Sequence, residues 1–142
     1  MEYYKKAKEL MDMEATEFFG GVSDEEIENA MKELALVFPE SYKAFLSEFG
    51  GGDVGGEFIL GITDEVEEES AVKATQEERG VGLPENFVII AFWGDVLWCL
   101  DTGKMKNGEC PVVTLTDHYK MDEIVAESFG QFLYDYLNES DE

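Results

Sequence analysis

The sequence predicts an α+β fold: N-terminal helices, a central mostly antiparallel β-sheet, and a C-terminal helix packed on that sheet. Three observations carry the prediction. Apolar residues recur at helical spacing through the first fifty residues. The period then gives way to strand-length apolar runs separated by turn residues. The final stretch returns to helical spacing, and the 142 residues fit one domain, 1–142, with a core over about 20–137 and a frayed tail at 138–142. A chain of this length buries roughly 68–70% of the surface its unfolded form exposes. Its 44% hydrophobic and 13% aromatic residues supply the material for such a core.

Residues 3–14 place Tyr3, Ala7, Leu10 and Met11 on one helical face. A second helix opens at Ser23, with Glu26 three residues on as a capping box and Asp24 and Glu25 in a first turn that favours anions. Ile27, Ala30, Met31 and Leu34 form its buried stripe, and Pro39 limits it near Phe38. Glu40 to Phe49 reads as a third helix with Tyr42, Phe45, Leu46 and Phe49 inward, stopped by Gly50-Gly51-Gly52. Glu57 to Ile62 and Phe87 to Trp93 are strands. Gly94-Asp95 turns the second of these into a strand from Val96 to Leu100. A polar loop, Asp101 to Glu109, leads to the strand Pro111 to Thr116, and a short polar helix spans Glu68 to Arg79. The closing helix, Glu123 to Leu137, carries Ile124, Val125, Ser128, Phe129, Phe132, Leu133, Tyr136 and Leu137 at i, i+1, i+4, i+5.

Charge sets the class of partner. There are 33 acidic and 10 basic residues, a formal net charge of −23. Phosphate backbones and anionic membranes are repelled, so direct nucleic-acid and lipid binding are disfavoured and a cationic partner is favoured. The longest apolar runs are strand-sized, far short of a membrane span. The opening MEYYKKAKELMDMEA has charges where a signal peptide needs an apolar stretch, which points to a cytoplasmic protein with reduced thiols. Cys99 and Cys110 are too few for a disulfide framework and form no CxxC.

No pattern in the chain carries catalysis, a cofactor or a metal. Gly50, Gly52 and Gly55 match the letters of GxGxxG, but a helix precedes and a strand follows, the reverse of what a dinucleotide site needs. A flexible helix-to-strand connection is expected there instead. His118 is the only histidine and lies in a polar loop between Asp117 and Tyr119, a setting for a surface or locally hydrogen-bonded side chain. No GxSxG surrounds a serine. The run Asp64, Glu65, Glu67, Glu68, Glu69 lacks the alternating ligands and central glycine of a calcium loop. It reads as a solvated acidic segment or a partner-facing patch.

The acids are not evenly spread. No base lies between Lys43 and Lys73, while Glu48, Asp53, Glu57, Asp64, Glu65, Glu67, Glu68 and Glu69 accumulate. Trp93 and Trp98 flank the Gly94-Asp95 turn beside this stretch. They are either core residues or aromatic anchors inside an acidic rim, the arrangement by which a surface captures a basic protein. The candidate contacts are Asp53, Glu57, Asp64, Glu65, Trp93, Asp95, Trp98, Asp101 and Glu109, all on the sheet and its loops.

Ser23-Asp-Glu-Glu-Ile27, Leu34…Phe38-Pro39-Glu40-Ser41-Tyr42-Lys43-Ala44-Phe45-Leu46 and Gly50-Gly51-Gly52 together resemble the opening pattern of the SUKH superfamily, the Smi/Knr-type domain. The resemblance continues through Gly82-Leu83-Pro84-Glu85-Asn86-Phe87-Val88-Ile89-Ile90, Trp98-Cys99-Leu100-Asp101, Pro111-Val112-Val113 and Ser128-Phe129…Phe132-Leu133, in order over residues about 20–137. Met31 stands where the family usually carries glutamate, Ala35 where it has glycine, and Phe38 where it has leucine; these changes suit a more hydrophobically packed helix. The resemblance implies an α+β fold without enzymatic activity. For a bacterial member it implies an immunity protein that binds and neutralises a cognate polymorphic toxin, often a nuclease. For the fungal branch it implies a regulatory scaffold of cell-wall assembly. The acidity suits the first role, because a nuclease presents a basic cleft.

Overall fold

A computed structural model describes residues 2–13, 17–18, 20–54, 57–63 and 69–140. The α+β architecture expected from the sequence is present. Helices α1 (Glu2–Met13), α2 (Asp24–Leu34) and α3 (Glu40–Glu48) come first, with the short strand β1 (Glu17–Phe18) between α1 and α2. Strands β2 (Gly52–Val54) and β3 (Glu57–Ile59) follow, then α4 (Ala71–Arg79). Strands β4 (Phe87–Ala91), β5 (Leu97–Asp101), β6 (Val112–Thr116) and β7 (Lys120–Ala126) precede the last helix, α5 (Phe129–Ser140).

The strands form two antiparallel sheets rather than one: a small sheet β1-β2-β3 and a four-stranded meander β4-β5-β6-β7. The two meet where the Leu60 amide donates to the Ile90 carbonyl at 2.8 Å. Helix α4 closes the same side of β4, with the Thr75 hydroxyl accepting from the Ile89 amide at 3.0 Å. Helix α5 packs on α3 through Tyr42 and Phe45 against Phe129, edge-on at 4.9 and 5.3 Å between ring centroids. Helix α1 crosses α5 at Gly130, where an added Cβ would stand 2.9 Å from the Tyr4 nitrogen. That contact accounts for the glycine at the second residue of α5.

Local signals explain most element boundaries. The Ser23 hydroxyl accepts from the Glu26 amide at 3.2 Å and starts α2 as the capping box predicts. The helix ends at Leu34, short of Pro39, in a Schellman motif. Ala35 takes a left-handed conformation (φ 57°), its amide donates to the Lys32 carbonyl, and the Leu36 amide donates to the Met31 carbonyl. Ala35 is exposed, so it does not add to a hydrophobic helix face. Met31 is half-buried, and its sulfur accepts from the Phe38 amide at 3.3 Å. In α1 the inward tyrosine is Tyr4, buried with Ala7 and Met11, while Tyr3 faces outward.

The expected flexible connection at Gly50–Gly52 is buried and bonded: the Gly50 amide donates to the Leu46 carbonyl, and its carbonyl accepts from Ile62 at 2.9 Å. An added Cβ at Gly61 would stand 1.7 Å from that same carbonyl. Glu57 to Ile62 is strand only through Ile59, and the helix expected from Glu68 begins at Ala71 with Ser70 as its cap. The largest departure concerns the closing helix. Residues 120–126 form β7, and α5 starts at Phe129, where Ser128 Oγ accepts from the Gln131 amide and Gln131 Oε1 accepts from the Glu127 amide, each at 3.0 Å. Helix α5 continues through Ser140, and the rest of the tail expected to fray lies outside the described residues. Among the described residues, no helix is long and apolar enough to cross a membrane.

Candidate protein-binding surface

The β4–β5 hairpin turns at Gly94-Asp95, where Gly94 has φ +70°, a conformation that suits glycine. Trp93, just before the turn, lies on α5: its ring is 5.5 Å from Phe132, 5.2 Å from Tyr136 and 5.0 Å from Trp98. Both indoles are half-buried and both N–H groups are satisfied, Trp93 by the Phe58 carbonyl at 2.8 Å and Trp98 by the Trp93 carbonyl at 3.1 Å. The first of these bonds ties the turn to the β2–β3 hairpin, in which Asp53 pairs with Phe58 and Val54 with Glu57. Asp53, Glu57, Trp93, Asp95 and Trp98 therefore share one neighbourhood. Glu57 and Asp95 are exposed, and Asp53 is half-buried.

Phe92 adds an aromatic beyond the residues expected from the sequence. It is 49% exposed, the one phenylalanine of the run Phe87 to Trp93 that turns outward. Its signal was weak because the preceding strand is buried on both faces, with no alternation to extrapolate. A cleft of about 320 Å³ adjoins the turn, lined by Glu78, Asp95, Leu97, His118 and Tyr119 among others. His118 is exposed there.

Asp101 and Glu109 lie elsewhere. Asp101 is at the far end of β5 from the turn, about 13 Å along a five-residue strand. It is 3% exposed, and its carboxylate accepts from Asn86 Nδ2 at 2.8 Å and from the Gly103 amide at 3.2 Å. Glu109 accepts from the Ser41 amide at 3.2 Å and hydroxyl at 2.7 Å, capping α3, whose N-cap Pro39 has no side chain to do so. Ser41 Oγ in turn accepts from the Gly130 amide at 3.0 Å, so one carboxylate ties a loop, α3 and α5 together. Both acids hold the fold. Asp64 and Glu65 lie outside the described residues.

A second acidic surface was not singled out from the sequence. The outer face of α2 exposes Asp24, Glu25, Glu28 and Glu33. Asp24, Glu28 and Glu40 rim a cleft of about 370 Å³ against α3, with Ile27, Met31 and Ala44 in its lining. Ion pairs Lys8–Glu48 and Lys43–Glu40 offset little of this charge. Cys99 and Cys110 are free and buried; burial, reinforced by Asp101, pushes both thiols up to about 12, so they are neutral at physiological pH. Among the described residues, no group of three or more His, Cys, Asp or Glu is placed to hold a metal ion. The Gly94-Asp95 turn thus combines exposed carboxylates with a partly exposed aromatic group. A family model, SUKH_5, described as SMI1-KNR4 cell-wall, matches residues 2–138.

Proposed function

Since the chain belongs to the SUKH_5 family, described as SMI1-KNR4 cell-wall, we propose that it is a non-enzymatic, cytoplasmic immunity protein that binds and neutralises a basic bacterial toxin domain. The observation that carries this reading is the net charge of −23, much of it on exposed carboxylates. A nuclease toxin must present a basic cleft to hold its substrate, and an acidic protein can occupy that cleft or bind beside it. The exposed turn at Phe92 and Asp95, with Glu57 beside it, supplies both an anchor and attracting charge. A regulatory scaffold module is the second reading, favoured by the cell-wall description of the family.

Genomic context and a toxicity assay separate the two. A neighbouring reading frame with a basic, toxic C-terminal domain, whose toxicity this protein suppresses on co-expression, supports the immunity role. A toxin domain that binds without being neutralised, or no binding to it at all, leaves the scaffold role.

A further inference from the structure

The two edges of the four-stranded sheet are treated differently. The outer edge of β4 is closed, its Ile89 amide taken by Thr75 and its Ile90 carbonyl by Leu60. On β7, among the described residues, β6 is the strand partner and the opposite edge has none. Lys120 to Ile124 are all exposed along it. The seven residues of β7 lie opposite the five of β6, enough to seat a short strand. An exposed edge of unpaired amides and carbonyls is a template for another chain.

The side chains narrow what that chain is. Met121 pairs with Leu115 and Ile124 with Val113, which places both on one face of the sheet, 44% and 57% exposed. Glu123 pairs with Thr114 on the other face, and Asp122 accepts from the Thr114 hydroxyl at 3.3 Å. One face of the edge is therefore apolar, and the other carries Asp122 and Glu123, with Lys120 opposite Thr116 at its start. We propose that β7 takes an extended cationic segment of the protein partner by strand addition, with apolar residues on the Met121 and Ile124 side alternating with Lys or Arg on the Asp122 and Glu123 side. This rests on the reading of the chain as a binder of basic protein, and adds the conformation and place of the bound segment. A second copy would set these acids against its own on a chain of net charge −23, and like charges across strands repel. Register shifts at Val112/Val113 and Thr114/Leu115 twist the edge, which restricts it to a short strand.

The test uses the full-length protein labelled for NMR and a synthetic peptide of alternating Lys and Val as the probe. Two further peptides carry N-methyl groups on every Val or on every Lys, which keeps charge and alternation but blocks one hydrogen-bonding edge each. The parent peptide is expected to shift and protect the amides of residues 120–126. One methylated peptide should lose about tenfold in affinity and the other much less, as removal of edge hydrogen bonds requires. Asp122→Lys with Glu123→Lys should weaken the parent peptide by about tenfold, and Glu25→Lys with Glu28→Lys on α2 by less. Equal binding of all three peptides with shifts away from β7 overturns the edge while sparing the basic-partner reading. Binding by none of them, even at low salt, overturns both. A dimer that Asp122→Lys with Glu123→Lys disperses assigns the edge to a second copy and also overturns the proposal.

Discussion

Ala35 holds the C-terminal turn of α2 in a left-handed conformation that costs an L-residue about 1–2 kcal/mol. Glycine removes that cost, and its greater freedom in the unfolded chain takes back only part of the gain. Ala35→Gly is therefore expected to raise the unfolding free energy by about 0.5–1 kcal/mol, read from the denaturant midpoint; a loss of stability would contradict the assigned geometry. The buried titrating groups give a second expectation at this scale. Cys99 and Cys110 are raised from 9.0 to about 12, and burial also raises Tyr42, whose hydroxyl donates to the Leu60 carbonyl at 2.9 Å. The folded state keeps these protons more tightly than the unfolded chain does. Their stabilisation is complete below about pH 9, the unfolded thiol value, and is lost as pH rises toward the folded values. Unfolding free energy should fall steadily from about pH 9 upward, by up to roughly 1.4 kcal/mol per unit for each group released. Denaturant titrations across that range test it, and a flat profile would show that the thiols are not buried as described. Neither cysteine should react with a thiol reagent at neutral pH until the protein is unfolded.

At the scale of elements, the strongest loss is expected from Glu109→Ala. It leaves Ser41 and the start of α3 without a carboxylate partner in a half-buried setting, at a cost of about 2 kcal/mol. Glu109→Gln should recover part of this, because an amide oxygen still accepts. Calorimetric melting of the two variants distinguishes this structural role from a surface contact, which would leave stability unchanged. The sequence made α2 and the β4–β5 hairpin legible, since Ser23 with Glu26 and Gly94-Asp95 are local signals acting on neighbouring residues. The start of α5 was equally local, in Ser128 and Gln131, but Ile124 and Val125 fit the helical stripe and drew the boundary too early. Ile124 is an exposed edge residue whose apolar character serves no core. The small sheet was not legible: strands of two and three residues show no alternation, and tertiary pairing forms them. The exposure of Glu57 and Asp95 was legible from charge and turn residues. The hydrogen bonds of Asp101 and Glu109 were not legible, since their partners lie far along the chain or inside a loop geometry, nor was the exposure of Phe92, which depends on where β4 ends.

For the molecule as a whole, a net charge of −23 means that the folded state repels itself. Screening shortens that repulsion to about 8 Å at physiological ionic strength, so the melting temperature should rise from about 10 mM to about 150 mM NaCl; an unchanged or lower value would mean that the acids are locally paired. Under the proposed function, the same field draws a basic partner in. Exposed acids act mainly on association rate, and a desolvated central residue acts on dissociation. Asp95→Lys with Glu57→Lys should therefore slow association and flatten its salt dependence, whereas Phe92→Ala should speed dissociation at a cost of about 2 kcal/mol. The most direct measurement is a kinetic titration of this protein and these variants against the basic toxin domain that the proposed function requires, with toxin activity followed in the same samples. The account predicts stoichiometric inhibition by the unaltered protein, slowed association in the charge variants and faster dissociation for Phe92→Ala. A toxin domain that stays fully active at saturating protein, or rates that none of these substitutions moves, would contradict it.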